Sequence, residues 1–545
     1  MKLTYQKRIF FSTLIHFIIF LCIPVHSQII FGSSVKQDYI SENQHKIDII
    51  KYDLFIDIDA VNKSINAVAG ITGVITDKTL TSIDLNFYEN LKITSLILND
   101  NTIDIDHRGS RLRISEIQMI SDTFYISISY EGTPKSLGPI GFVFGEIKKR
   151  TLVYTLNQPE LASVWFPCND IPSDKAMLEM KIRNSKDNIS VSNGRLIAIE
   201  EDETHKTYHW KTLYSISTYL VALYSAPYEY YTDYLVMNND TLEIQYYVMP
   251  EHLENAQKDF AVHNDMINYF SEVFGDYPFI KEKYGVAEFL WNFGAMEHQT
   301  ITGIGYNFVS GNNFFRYIYA HELAHQWWGN AIGVKSWDDI WLSEGFATYS
   351  EALFNEYKYG KDALRSTMLA KFDENFKGKL YKPDDLFGST VYDKGAWVLH
   401  MLRFEIGDSL FFEILRKYFE KYKYASASTK DFKTVCEDVS GKELSQFFDQ
   451  WVFSGEDQIK IEYSYQTKKQ NETFILEVIT EQIQTAYIEY HFPLDIKVIY
   501  EDETEEIFRI DINSRNQTTE LKLLKRPLEI ILDPYNWLLA GFKKL

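Results

Sequence analysis

The chain has 545 residues, too many for one hydrophobic core, so two to four domains are expected. Hydrophobic residues make up 45% and charged residues 24%, the balance of a globular protein. The net charge of −21 argues against nucleic acid and against an anionic membrane surface as partners. The first 27 residues read as a targeting segment. Lys2, Lys7 and Arg8 precede an apolar run from Ile9 to Ile23, and Val25-His26-Ser27 offers small residues at the −3 and −1 positions of a cleavage site. The run is short for a span, which needs about twenty apolar residues. The expectation is therefore an exported protein, secreted or periplasmic, with no stable span after cleavage; an uncleaved amino-terminal anchor is the alternative. Past that segment only Cys168 and Cys436 remain, which is no disulfide framework, and free buried thiols are expected.

Residues 28–232 read as a β domain. Y-D-L-F-I-D-I-D (52–59) and T-F-Y-I-S-I-S-Y-E-G (123–132) alternate with a period of two, and turn signals such as Asn193-Gly194 recur between short strands. This predicts an antiparallel saddle or sandwich. Residues 233–455 change character. The segment 256–275 carries apolar residues near a 3.6 period and stops at Gly275. Residues 284–298 predict a strand, and a helix ending the region is predicted to be capped at Thr429. Residues 456–545 return to alternation, as in I-K-I-E-Y-S-Y and L-D-I-K-V-I-Y, and predict a small β-sandwich. The fold class is multidomain α+β.

Within the middle region stands H-E-L-A-H-Q-W-W-G-N, residues 321–330. His321 and His325 are four apart, so a helix places both imidazoles on one face. Zinc takes two or three such nitrogens plus a carboxylate, and in a catalytic site keeps one position open for water. Glu322 sits beside the first histidine. Glu344 follows His325 after eighteen intervening residues, enough for the helix to end and a second helix to return a carboxylate. Two surface histidines on an amphipathic helix would be the bland explanation. The flanking Phe314, Phe315, Tyr317, Ile318, Tyr319, Trp327 and Trp328 predict a buried helix instead, where two imidazoles need a partner.

These residues resemble the zinc aminopeptidases of the gluzincin clan, typified by membrane alanyl aminopeptidase, whose pattern is H-E-x-x-H, eighteen residues, then E, preceded by G-A-M-E-N. Here the preceding segment is Gly294-Ala295-Met296-Glu297-His298, with His in place of Asn. The resemblance implies one Zn2+ per chain held by His321, His325 and Glu344, with Glu322 as general base. It also implies an amino-terminal β domain and a thermolysin-like α/β catalytic domain. V-Y-D-K-G-A resembles the family's Tyr-x-x-Gly-Ala element and puts Tyr392 at the metal, as a donor to the oxyanion. N-Q-P-E-L-A-S-V-W-F-P-C-N-D-I-P-S-D-K-A (157–176) resembles the family segment whose Gln and Glu reach the cleft, which fall on Gln158 and Glu160. Ile171 departs from that pattern, where the family has a second acid. Glu297 and Glu160, with Gln158 beside them, are implied to hold the ammonium of a peptide's free amino terminus. The 294–296 segment can pair its backbone with an extended substrate. Asp338 and Asp339 are either ligand-orienting acids or solvated ones. The function implied is removal of single residues from free peptide amino termini. The alternatives are a thermolysin-like endopeptidase, which leaves Glu297 and the β domains without a role, and a catalytically silent peptide-binding relative.

Overall fold

The computed structural model describes residues 39–237 and 240–545. The targeting segment lies outside them. In the amino-terminal region Ile47–Asp59 pairs antiparallel with Ser64–Ile75 and lies at the centre of an eight-stranded sheet. A register shift between Ile49 and Lys51 moves the alternation by one residue, so that Ile47 and Ile49, then Tyr52, Leu54, Ile56 and Ile58, all face the core. The sheet departs from the expected antiparallel order at one pair, Ile47–Asp59 against Met177–Ser185, which run parallel. That pairing requires the long crossover through residues 64–176. A five-stranded sheet, including Arg150–Leu156 and Leu223–Ala226, adjoins it.

The next sheet runs in the order Glu229–Met237, Asp240–Val248, Tyr284–Phe289, Thr302–Gly305, Ala295–Met296. Its first strand straddles the expected 232/233 boundary: a run of alternating residues looks the same on either side of a domain junction, and only its pairing partner assigns it. The single strand predicted over 284–298 is two strands, broken at 290–294. Gly294 has φ +142, a conformation open to glycine, and the turn it makes lets Ala295–Met296 return antiparallel to Thr302–Gly305 as an edge strand.

Nine α-helices follow the second strand among the described residues: α1 (Leu253–Phe260), α2 (His263–Phe274), α3 (Arg316–Ala324), α4 (Trp341–Tyr359), α5 (Lys361–Ala370), α6 (Gly395–Ile406), α7 (Asp408–Tyr422), α8 (Thr429–Ser440) and α9 (Ser445–Phe448). The periodic run 256–275 thus forms two helices. α8 is capped by Ser428, whose hydroxyl accepts from Asp431 N, not by Thr429; Thr429 is instead held by Asp339. Trp327, Trp328 and Trp341 are fully buried around α3 and α4, whereas Phe314 and Tyr317 at the start of α3 are exposed. The carboxy-terminal residues form a four-stranded and a three-stranded sheet. Cys168 and Cys436 are free and buried. No helix among the described residues is long and apolar enough to cross a membrane.

Candidate metal centre and active site

α3 ends at Ala324, and His325 caps it in a helical conformation, so His321 and His325 stay on one face, their rings 4.7 Å apart. Glu344 lies in the first turn of α4. Its Oε2 is 3.3 Å from Nε2 of both histidines. The opposite ring nitrogens are already committed: His321 Nδ1 donates to Glu351 Oε1 at 2.9 Å and His325 Nδ1 to the Trp328 carbonyl at 2.9 Å. These bonds select the tautomers that leave both Nε2 lone pairs facing Glu344.

Three lone-pair atoms converging in a buried pocket repel one another unless a cation joins them. A proton can serve as that cation: burial opposes charge on His321, but hydrogen bonds to Glu344 and Glu351 outweigh it and push the group up to about 10. Burial would raise Glu344, yet His325 and His321 hold it down at about 2. The cluster is built for positive charge at this point. Two imidazoles, one carboxylate and bound outer partners fit zinc.

Around this triad the fold gathers further polar groups. Glu322, Glu297 and His325 each place one ligand-type atom within 4.8 Å of the others. Burial, foremost, lifts Glu322 to about 8, and its Oε2 has no hydrogen-bond partner among the described residues. Glu297 is buried, and burial raises its pKa too. It accepts a 3.0 Å bond from Gln158 Nε2. Its backbone carbonyl accepts from Asn330 Nδ2 at 2.7 Å, from the loop that follows α3. Glu160 is half-buried, and burial, then Asp170, pushes it up to about 8. Its carbonyl accepts from the Tyr39 hydroxyl.

Tyr392 lies on a π-helical turn, Thr390–Lys394, directly before α6. Its ring stacks on His321, with centroids 5.9 Å apart and planes 17° apart. Burial, then Glu344, raises its pKa well above the usual phenol value, so the hydroxyl keeps its proton. Two glycines allow this approach. A Cβ on Gly395 would stand 2.9 Å from the Gly345 Cα, so larger residues would force the Tyr392 turn away from α4.

His298 is fully buried beneath the site, its Nδ1 2.6 Å from the Tyr224 hydroxyl; burial pushes it down to about 3 and keeps it neutral. Neither Asp338 nor Asp339 orients a ligand histidine: Asp338 pairs with Lys382, and Asp339 accepts from Thr429. Glu351 takes that place. It lies seven residues beyond Glu344 on α4, two helical turns along the same face, a spacing visible in the sequence.

This fold and donor set define a gluzincin centre, an H-E-x-x-H helix completed by a glutamate from the next helix. The profile of the peptidase family M1 domain matches residues 258–451, and that of the peptidase M1 N-terminal domain residues 49–220. The chain belongs to peptidase family M1. A probable aminopeptidase 2 of Sulfurisphaera tokodaii is 26% identical over 433 residues, 74% of this chain and 53% of its own length. Aminopeptidase A of Legionella pneumophila, solved with aspartic acid, superposes with a TM-score of 0.81 at 18% identity, over 93% of this chain and 60% of its own. An M1 zinc metallopeptidase from Deinococcus radiodurans superposes with a TM-score of 0.65 at 24% identity, over 75% of this chain and 93% of its own. The chain spans about half the length of the curated relatives it matches.

Proposed function

We propose that this chain is a zinc aminopeptidase that removes single residues from the free amino terminus of peptides. The observation that carries this reading is the buried carboxylate of Glu297, within 4.8 Å of Glu322 and His325 and held by Gln158. A buried anion one residue's length from the ligand atoms suits a substrate α-ammonium, and an endopeptidase has no use for it.

His321, His325 and Glu344 would hold the zinc. When bound, zinc acts as a Lewis acid and lowers the pKa of water from about 16 towards 7. Glu322 takes a proton onto its carboxylate as water attacks the scissile carbonyl, then returns it to the leaving nitrogen. The Tyr392 hydroxyl donates to the oxygen on which negative charge develops. Glu297, Gln158 and Glu160 receive the ammonium. The edge strand Ala295–Met296, entered through Gly294, offers backbone groups to an extended peptide. The basic and apolar segment before Gln28 supports export of the mature chain.

The test is hydrolysis of aminoacyl anilides with free and with acetylated amino termini. Cleavage of the free-amine substrates alone, abolished by chelation and restored by zinc, is expected. Equal cleavage of blocked substrates would overturn the exopeptidase reading.

A further inference from the structure

Glu351 and Asp393 lie on different elements, and one cation stands between them. Lys371, the first residue past α5, places Nζ 2.9 Å from Glu351 Oε2 and 3.8 Å from Asp393 Oδ1. The other oxygen of Glu351 is the acceptor of the His321 N–H, and Asp393 is the residue after Tyr392. The Lys371 side chain is 16% exposed and that of Glu351 7%.

We propose that Lys371 is a positioning residue that couples the metal ligand His321 to the turn bearing Tyr392. The inference rests on the zinc reading of the site. A carboxylate held at one oxygen only can rotate. Glu351 is held at both, by His321 on one side and Lys371 on the other, so its Oε1 stays aimed at Nδ1 and the ring cannot turn its Nε2 away from Glu344. Removing the cation leaves a buried oxygen unpaired, and the carboxylate turns to recover hydration, releasing His321. The second arm, to Asp393, ties the same cation to the π-helical turn. That turn carries the ring that stacks on His321, so ligand and phenol are set by one ammonium group.

The test is zinc affinity, read by competition with a chromogenic chelator on the full-length protein, beside kcat and KM. Lys371→Met is expected to weaken zinc binding by about tenfold, the lower end of the effect of losing the outer partner of a ligand histidine, since it frees Glu351 rather than removing it. Lys371→Arg is expected to recover most of that loss, and cobalt-substituted Lys371→Met to show a shifted d–d spectrum. An unchanged zinc Kd in Lys371→Met would overturn the proposal, whatever happens to turnover. Asp393→Asn cuts only the second arm: kcat is expected to fall with zinc Kd unchanged, and no change in either constant overturns that arm. Weakened zinc binding in Lys371→Met, in a protein that cleaves no free-amine substrate, would leave the coupling standing and remove the aminopeptidase reading.

Discussion

Gln158 donates a 3.0 Å hydrogen bond to Glu297, joining segments 139 residues apart. The amide comes from the amino-terminal β domain and the carboxylate from the edge of the catalytic sheet, so the two domains share the anionic end of the site.

On the proposed function, replacing Glu297 by Gln removes the buried charge that would face the substrate ammonium. Breaking one partner of such a pair costs about 2–5 kcal/mol, roughly thirtyfold or more in kcat/KM for free-amine anilides. Gln158→Ala removes one hydrogen bond and should cost about fivefold. Steady-state kinetics on both variants checks the order. Equal rates for Glu297→Gln and wild type would place the ammonium elsewhere.

Glu322→Gln keeps the shape of the side chain and removes its capacity to take a proton. A fall in kcat of about a hundredfold to ten-thousandfold is expected, with one zinc per chain retained by metal analysis. Loss of zinc with loss of activity would instead make Glu322 a ligand.

Tyr392→Phe preserves the stack on His321 and deletes only the hydroxyl. A loss of about a hundredfold or more in kcat, with KM little changed, is expected for a donor used in the transition state. If KM rises and kcat holds, the hydroxyl binds the ground state.

Lys175 crosses from the amino-terminal domain to donate to the carbonyls of Asn330 and Ala331, in the loop whose Asn330 side chain holds the Glu297 backbone. Burial pushes its ammonium down to about 7. Above that pH the unfolded chain binds one proton more than the folded one until the ordinary lysine range, so this group makes stability rise with pH from about 7 to about 10, by about 1.4 kcal/mol per pH unit. Below pH 7 its contribution is flat. Lys283 and Lys394, pushed down by burial to about 7 and about 8, act with the same sign. Lys175→Met should therefore lower the slope of urea stability against pH by one proton and leave a residual slope. A slope equal to wild type would show that the two carbonyls keep Lys175 charged.

Much of the metal centre was legible because its determinants are local. His321 and His325 share a helix face by their spacing alone, and Glu344 lies within reach of any chain that turns back after Gly329. Asp338 and Asp339 stay open in the sequence because a pair of acids near the ligands looks the same whether it faces an imidazole, solvent or a threonine; α8 supplies the threonine for Asp339. Ser428 and Thr429 are chemically alike as caps, and only the backbone, extended at Ser428, decides between them. Gly395 stands in the matched V-Y-D-K-G-A segment, but the reason for a glycine there, its close approach to Gly345, arises only where the helices cross.

By itself the sequence determined the ligand spacing, the glutamate beside the first histidine and the alternation that makes the flanking domains β. These follow from periods of 3.6 and 2 acting over a few residues. The tertiary structure alone decided which groups surround that set: which face of α4 meets His321, Lys371 behind Glu351, and Gln158 against Glu297. Each of these contacts joins different elements, and their meeting depends on how whole helices and sheets pack, which no local period records.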